Sequence, residues 1–303
     1  MSILAHCFLS VMLVVLSGAG EPIFGQEKEY VIPFQLTDHN NLSVQAILNK
    51  KDTLNLMFHT AADGIMLTEA AVKKIKSLNF DGVDSVKSWG GGGNASRFSK
   101  SNTLQIGDLE WTNMEVWEDI YSGQNTDGKF GIDLFSGKVI EIDFDKKVIV
   151  LRAGLPGGIK KYDKLKLIVE KHNTFIEASC RIGKNLFTNK FLIHSGYSGA
   201  ILFDDQFVAD HQLAGQLKIV DEKELKDSYG HVLKTKKTIL PTLVIGKEKL
   251  QDVPVGFFQG AIGRQKMSIF GGDILRRFNI VIDAQREYIY LKPSHLKGAG
   301  YLS

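Results

Sequence analysis

The sequence is poor in cysteine and proline, and beyond its first residues it has no long apolar run. Of 303 residues only two are cysteine, Cys7 and Cys180, and six are proline. Two cysteines cannot build a multi-bridge disulfide scaffold, and no Cys-x-x-Cys or zinc-knuckle spacing is present. Charge of one sign is lacking as well: 37 Lys and Arg against 34 Asp and Glu leave +3. A chain this balanced offers no electrostatic case for nucleic acid, which requires a clustered basic field. At 44% hydrophobic and 23% charged residues, it also lacks the bias of a disordered tail, a collagen-like fibre or a coiled coil. The length implies about two domains.

What is present begins with the one apolar stretch, Ile3 to Leu16. It has the length of a secretory h-region and is too short to span a bilayer. Gly18 and Gly20 supply the small residues of a cleavage site, although no Lys or Arg precedes the stretch. Residues 1–26 therefore read as a signal peptide. The expected product is exported, periplasmic or extracellular, with no membrane span after signal removal. Cys7 leaves with the signal, and Cys180 alone cannot form an internal disulfide.

The strongest signal is an internal repeat. Leu54 to Phe58 leads into His59-Thr60-Ala61-Ala62-Asp63-Gly64 and on to Leu67; Lys190 to Ile193 leads into His194-Ser195-Gly196-Tyr197-Ser198-Gly199 and on to Leu202. A second block follows each: Gly131-Ile-Asp133, Ile142-Asp143 and Leu151, then Gly271-Gly-Asp273, Ile282-Asp283 and Leu291. Ten residues separate the paired Asp in both copies.

Local patterning agrees. Val44, Ala46 and Leu48 alternate with polar residues, Asn49 to Asp52 turn the chain, and Leu54, Leu56 and Phe58 alternate again, as in a hairpin. Thr68 and Asp204 are N-cap candidates for short helices. Hairpins are also expected from Val139 to Leu151 and from Ile280 to Leu291. The one Pro/Gly-rich joint, Ala153 to Gly158, divides the chain into lobes at 27–155 and 156–303. The expected fold class is mostly β, with two related β-barrel lobes, short helices and a cleft between them.

These motifs resemble those of the aspartic proteases of the pepsin and retropepsin type, in particular bacterial exported two-lobe members, over most of residues 28–293. In that family each lobe carries an apolar strand ending in Asp-Thr/Ser-Gly, then a small residue and a Ser or Thr. A later apolar-apolar-Gly segment packs across that loop, matched here by Lys129-Phe130-Gly131 and Ile269-Phe270-Gly271. The resemblance assigns the family's glycine-bearing flap to Trp89-Gly90-Gly91-Gly92-Gly93, with a weaker counterpart near Thr238 to Gly246. It implies the bilobal fold and a cleft that takes an extended peptide or protein segment, in a protein expected to be a monomer.

The departure lies at the chemistry. Both positions of the catalytic Asp pair are histidine, His59 and His194. Thr60, Ser195, Gly196 and Ser198 keep the pattern, whereas Ala61 replaces Gly and Asp63 replaces the supporting hydroxyl. Two close carboxylates share one proton and divide the work of base and acid. Imidazoles start near a pKa of about 6.5 and, when neutral, carry one donor and one acceptor. Ordinary aspartic peptidase activity is therefore not expected, and a peptide-binding role for His59, His194, Thr60, Asp63, Ser195, Gly196, Ser198, Trp89, Gly90 and Gly91 is. Two alternatives stand beside it. One is hydrolysis through His59 and His194, with Asp63 orienting a general base. The other is a zinc site on His59, His194 and Asp63, for which no local metal motif speaks; the leading expectation includes no cofactor. Asp133 and Asp273 are read as loop-fixing residues.

Overall fold

A computed structural model describes residues 28–87, 93–226, 232–258 and 265–302. The expected signal peptide and the residues Trp89, Gly90 and Gly91 lie outside the described residues. The chain is mostly β, as its alternating patterns require. The first half holds β1 (Tyr30–Pro33), β2 (Gln35–Leu36), β3 (Leu42–Leu48), β4 (Asp52–His59), β5 (Ile65–Thr68), β6 (Gly82–Lys87), β7 (Gly93–Ile106), β8 (Leu109–Asp119), β9 (Gly128–Gly131), β10 (Val139–Asp143) and β11 (Val148–Arg152). The second holds β12 (Asp163–Lys166), β13 (Ile168–Glu170), β14 (Asn173–Ile182), β15 (Asn185–Ile193), β16 (Ile201–Leu202), β17 (Ile219–Lys226), β18 (Val232–Ile245), β19 (Glu248–Phe257), β20 (Ser268–Phe270), β21 (Phe278–Ile282) and β22 (Tyr288–Pro293).

The first half forms an eight-stranded sheet in the order β2-β3-β4-β9-β5-β8-β7-β6, and the second half one in the order β13-β14-β15-β20-β16-β19-β18-β17. Each strand number in the second order is eleven above its counterpart in the first. Extra pairings, β3 with β7 and β14 with β18, fold each sheet back on itself into a barrel-like shape. A six-stranded sheet, β1-β11-β10-β21-β22-β12, takes three strands from each half. Its central register pairs Ile140 with Ile282, Glu141 with Val281 and Ile142 with Ile280. Those pairs are symmetric about Glu141 and Val281, so a twofold relation runs through the middle of this sheet.

The local readings explain the elements. Asn49 and Lys50 take positive φ in the turn between β3 and β4. Thr68 accepts from the Ala71 N–H and caps the helix Glu69–Val72, and Asp204 accepts from the Phe207 N–H to cap Asp205–Asp210. Asp143 caps its hairpin turn by accepting from the Asp145 and Lys146 N–H groups. Asp283 does the same with Glu287 N–H. Behind the site, Phe58 packs on Phe130 and Phe135 with ring centroids 5.3 Å away in each case. In the second half Phe191 stacks on Phe270 at 4.0 Å. These rings bury large apolar areas and give the strands that carry the histidines a rigid backing. Among the described residues no helix is long and apolar enough to cross a membrane.

Candidate functional site

His59 is the last residue of β4, and His194 follows β15 directly. The fold brings them together: their ring centroids are 4.6 Å apart, inclined at 59°. Period two along each strand decides which neighbours share their side of the sheet. Phe58 and Ile193 point back into the main core, while Met57 and Leu192 lie on the same face as the histidines.

The loops carrying the two rings are locked to one another by reciprocal bonds. The Thr60 N–H donates to Ser195 Oγ (2.9 Å), and the Ser195 N–H donates to Thr60 Oγ1 (3.0 Å). Each hydroxyl then donates across the junction, Thr60 to the Ile193 carbonyl (2.7 Å) and Ser195 to the Phe58 carbonyl (2.7 Å). All four bonds are buried, where an unmade partner would cost most.

Glycines let the loops approach. A Cβ on Gly131 would collide with the Ala62 carbonyl and the Asp133 carboxylate, and one on Gly271 with the Gly199 carbonyl and the Tyr197 ring. A Cβ on Gly196 would strike Nε2 and Cδ2 of His59. That explains an asymmetry in the sequence. Gly196 must stay bare because the His59 ring lies against it. Its counterpart Ala61 instead packs its methyl against an apolar cluster of Phe175, Leu192, Leu202, Phe258 and Ile269.

Both rings are held neutral. Burial pushes His59 well below its ordinary range, helped by the neighbouring His194 and by the cation of Lys129. His194 is pushed down to about 4, by burial and again by Lys129. Nδ1 of His59 accepts from the Ala61 N–H at 3.1 Å, so the proton of the neutral ring sits on Nε2. Nδ1 of His194 is buried and has no hydrogen-bond partner. A buried polar atom without a partner is rare in folded proteins.

The remaining expected residues fall as follows. The Ser198 carbonyl accepts from Asn40 at 3.0 Å. Asp63 lies on the outer edge, where its carboxylate faces His172 at 3.7 Å. Among the described residues no three His, Cys, Asp or Glu side chains gather as a metal site would need. Asp133 accepts from the Gly64 N–H, and the fully buried Asp273 accepts from Arg276, Arg277 and the Leu302 N–H. Both therefore hold loops. The expected second flap near Thr238 to Gly246 needs correction. Those residues continue β18 into its turn, and by strand order the counterpart of 88–92 is 227–231, between β17 and β18. Both segments lie outside the described residues.

Two features escaped the sequence reading. Lys129 sits in a slot matched to an apolar residue. It is buried, and its ammonium reaches the buried Asp119 at 2.9 Å. Lys129 shares a face with His59, since Met57 pairs with Lys129 and His59 with Gly131. Burial lifts Asp119 to about 6 despite Lys129. The second feature is Tyr197, whose ring covers Gly199 and Gly271 and whose phenol burial pushes up to about 12. A lysine at a buried motif position was the available signal for the first; none existed for the second. Compared with models of known protein families and with curated proteins, the sequence matches none.

Proposed function

We propose that this chain is an exported, aspartic-protease-like protein that binds an extended peptide or protein segment in the cleft between two lobes and does not cut it. The observation that carries this reading is the pair of imidazoles, His59 buried and His194 partly buried, 4.6 Å apart, at the matched ends of β4 and β15. The strand orders offset by eleven, the twofold six-stranded sheet and the reciprocal Thr60–Ser195 bonds support the family scaffold. A scaffold of this kind would hold a segment mainly by backbone hydrogen bonds.

The imidazole pair argues against ordinary peptidase chemistry for a chemical reason. A shared-proton carboxylate dyad supplies an anionic base and a neutral acid together. A neutral imidazole takes a proton from water only by becoming charged, and here burial and the nearby Lys129 cation oppose charging of either ring. What they do offer is polar ring edges without charge, with the His59 proton placed on Nε2 by the Ala61 N–H, suited to binding.

A second reading is favoured by the partnerless Nδ1 of His194: neutral imidazoles are also general bases and metal ligands, so hydrolysis through His59 and His194, with or without a bound metal, is the competing proposal. One experiment separates the two. The chain from Glu27 onward is screened for binding and cleavage against a peptide library between about pH 3 and 9, with and without zinc, beside a His59→Ala/His194→Ala control. Retained peptides without turnover support binding. Cleavage that vanishes in the control replaces that reading with hydrolysis, and its dependence on zinc decides whether a metal takes part.

A further inference from the structure

The twofold relation makes it possible to ask which contacts at the site have a counterpart and which do not. Met57 faces Ser43 in the first half, and Leu192 faces Phe175 in the second. Counting back along β3 and β14 from these pairs, Asn41 corresponds to Asn173 and Asn40 to His172. The turn before β3 runs from Thr37 to Asn41, and that before β14 from Glu170 to Asn173, one residue shorter once the pairings of Leu36 with Leu42 and Val169 with Thr174 are aligned.

The longer turn is tightly built. Thr37 and Asn41 are joined by Thr37 N–H to Asn41 carbonyl (2.9 Å) and Asn41 N–H to Thr37 Oγ1 (3.1 Å). This geometry drives two side-chain amides across the junction into the loop that carries His194. Asn41, 1% exposed, donates to the Ser195 carbonyl at 3.0 Å, and Asn40 donates to the Ser198 carbonyl at 3.0 Å. The carbonyl of Asn40 also rests against Gly272, where a Cβ would collide with it. On the other side of the twofold, Asn173 makes no side-chain hydrogen bond among the described residues, although it is the same residue type. His172 meets Asp63 only at 3.7 Å, with both side chains more than half exposed.

We infer that Asn41, assisted by Asn40, is a positioning residue for His194. It fixes the loop from Ser195 to Ser198 from the opposite half of the molecule, and among the described residues no side-chain amide of the second half does the same for the loop that follows His59. The site is thus built with one loop clamped by neutral, buried amides and one loop touched only by an exposed His172–Asp63 contact. A neutral amide suits this task, because its NH₂ donates to a buried carbonyl without bringing charge into the junction. Aspartate at the same place would set an acceptor against an acceptor.

The test is made on the ligand-free chain from Glu27 onward, so its outcome does not depend on whether peptide is bound or cut. Any consequence for ligand affinity does rest on the cleft reading above. Ring resonances of the histidines are assigned by NMR in the wild-type protein and in Asn41→Asp, Asn41→Ala and Asn173→Ala. The expected result is a shift of the His194 ring signals and loss of the His59–His194 ring cross-peak in both Asn41 variants, with backbone dispersion elsewhere unchanged. Asn173→Ala should leave both rings in place. If the Asn41 variants do not fold, Asn40→Ala and His172→Ala form the same comparison, and only the former should move His194. Unmoved His194 signals on loss of the amide, or equal displacement by the variants of both turns, would overturn the inference.

Discussion

Lys129 and Ile269 occupy equivalent places, facing Met57 on β4 and Leu192 on β15, yet their surroundings have opposite chemistry. Ile269 belongs to an apolar cluster with Phe175, Leu192, Leu202 and Phe258. Lys129 has instead recruited Asp119, which is 1% exposed. The comparison teaches that one architecture can present a greasy face and an ion-paired face on either side of the same two imidazoles. The charged face is also the more costly to build. A buried pair recovers its desolvation only while both partners are present.

Breaking that pair should give the largest effect. Lys129→Met leaves the Asp119 carboxylate buried without its cation, at an expected loss of about 3–5 kcal/mol. Ile269→Met, the matched change in the other half, should cost less than about 1.5 kcal/mol. Urea unfolding of the two variants measures both. Replacing Lys129 by Ile together with Asp119 by Leu should restore most of the loss, since apolar groups of similar volume can substitute for a buried pair. Equal losses from the two single changes would show that the halves differ in residue type and not in energetic design.

The reciprocal bonds sharpen the comparison from the other direction, because there the halves are alike. Thr60→Val strips a partner from the Ser195 N–H and the Ile193 carbonyl; Ser195→Ala strips one from the Thr60 N–H and the Phe58 carbonyl. Each change should cost about 1–3 kcal/mol. The double variant should cost less than the sum, because each single change already breaks the shared network. A strictly additive cycle would mean that the two loops are held independently.

Much of this was legible in the sequence, and the limits have physical causes. Period-two runs around Val44, Leu56, Ile142 and Ile280 located their hairpins, since alternation directly reports a half-buried strand. Thr68 and Asp204 located helix starts through chemistry that needs only three residues. The paired His blocks and Gly-x-Asp blocks marked positions where loops meet, and Gly131, Gly271, Asp133 and Asp273 do hold loops there. Asn41 was invisible because its bond to Ser195 spans 154 residues and depends on a turn one residue longer than its counterpart. Lys129 was passed over because the motif around it was matched by the two residues that follow. A lone lysine in a buried slot could have prompted a search for its carboxylate, but only the pairing of β5 with β8 and β9 shows that Asp119 is within reach.

The smallest effect is a slope, and it separates the two chemistries by sign. His194 and His59 have folded pKa values below their unfolded range, so unfolding takes up protons between about pH 4 and 6.5, and stability falls on acidification through that window. Asp119 is raised in the folded state, from an ordinary 3.8 to about 6; its unfolding releases a proton over nearly the same window, and stability from this group rises on acidification. Two imidazoles against one carboxylate leave a net uptake of about one proton. These three groups together should therefore contribute a loss of roughly 1.4 kcal/mol per pH unit in the middle of the window. Asp119→Asn removes the opposing group and should steepen the measured slope, whereas His194→Gln should make it shallower by about the same amount. Denaturant midpoints at a few pH values between about 4 and 6.5 read both changes. A slope that Asp119→Asn leaves untouched would mean that the carboxylate is already ionised throughout, with Lys129 overcoming its burial, and the charged face would then be a permanent ion pair.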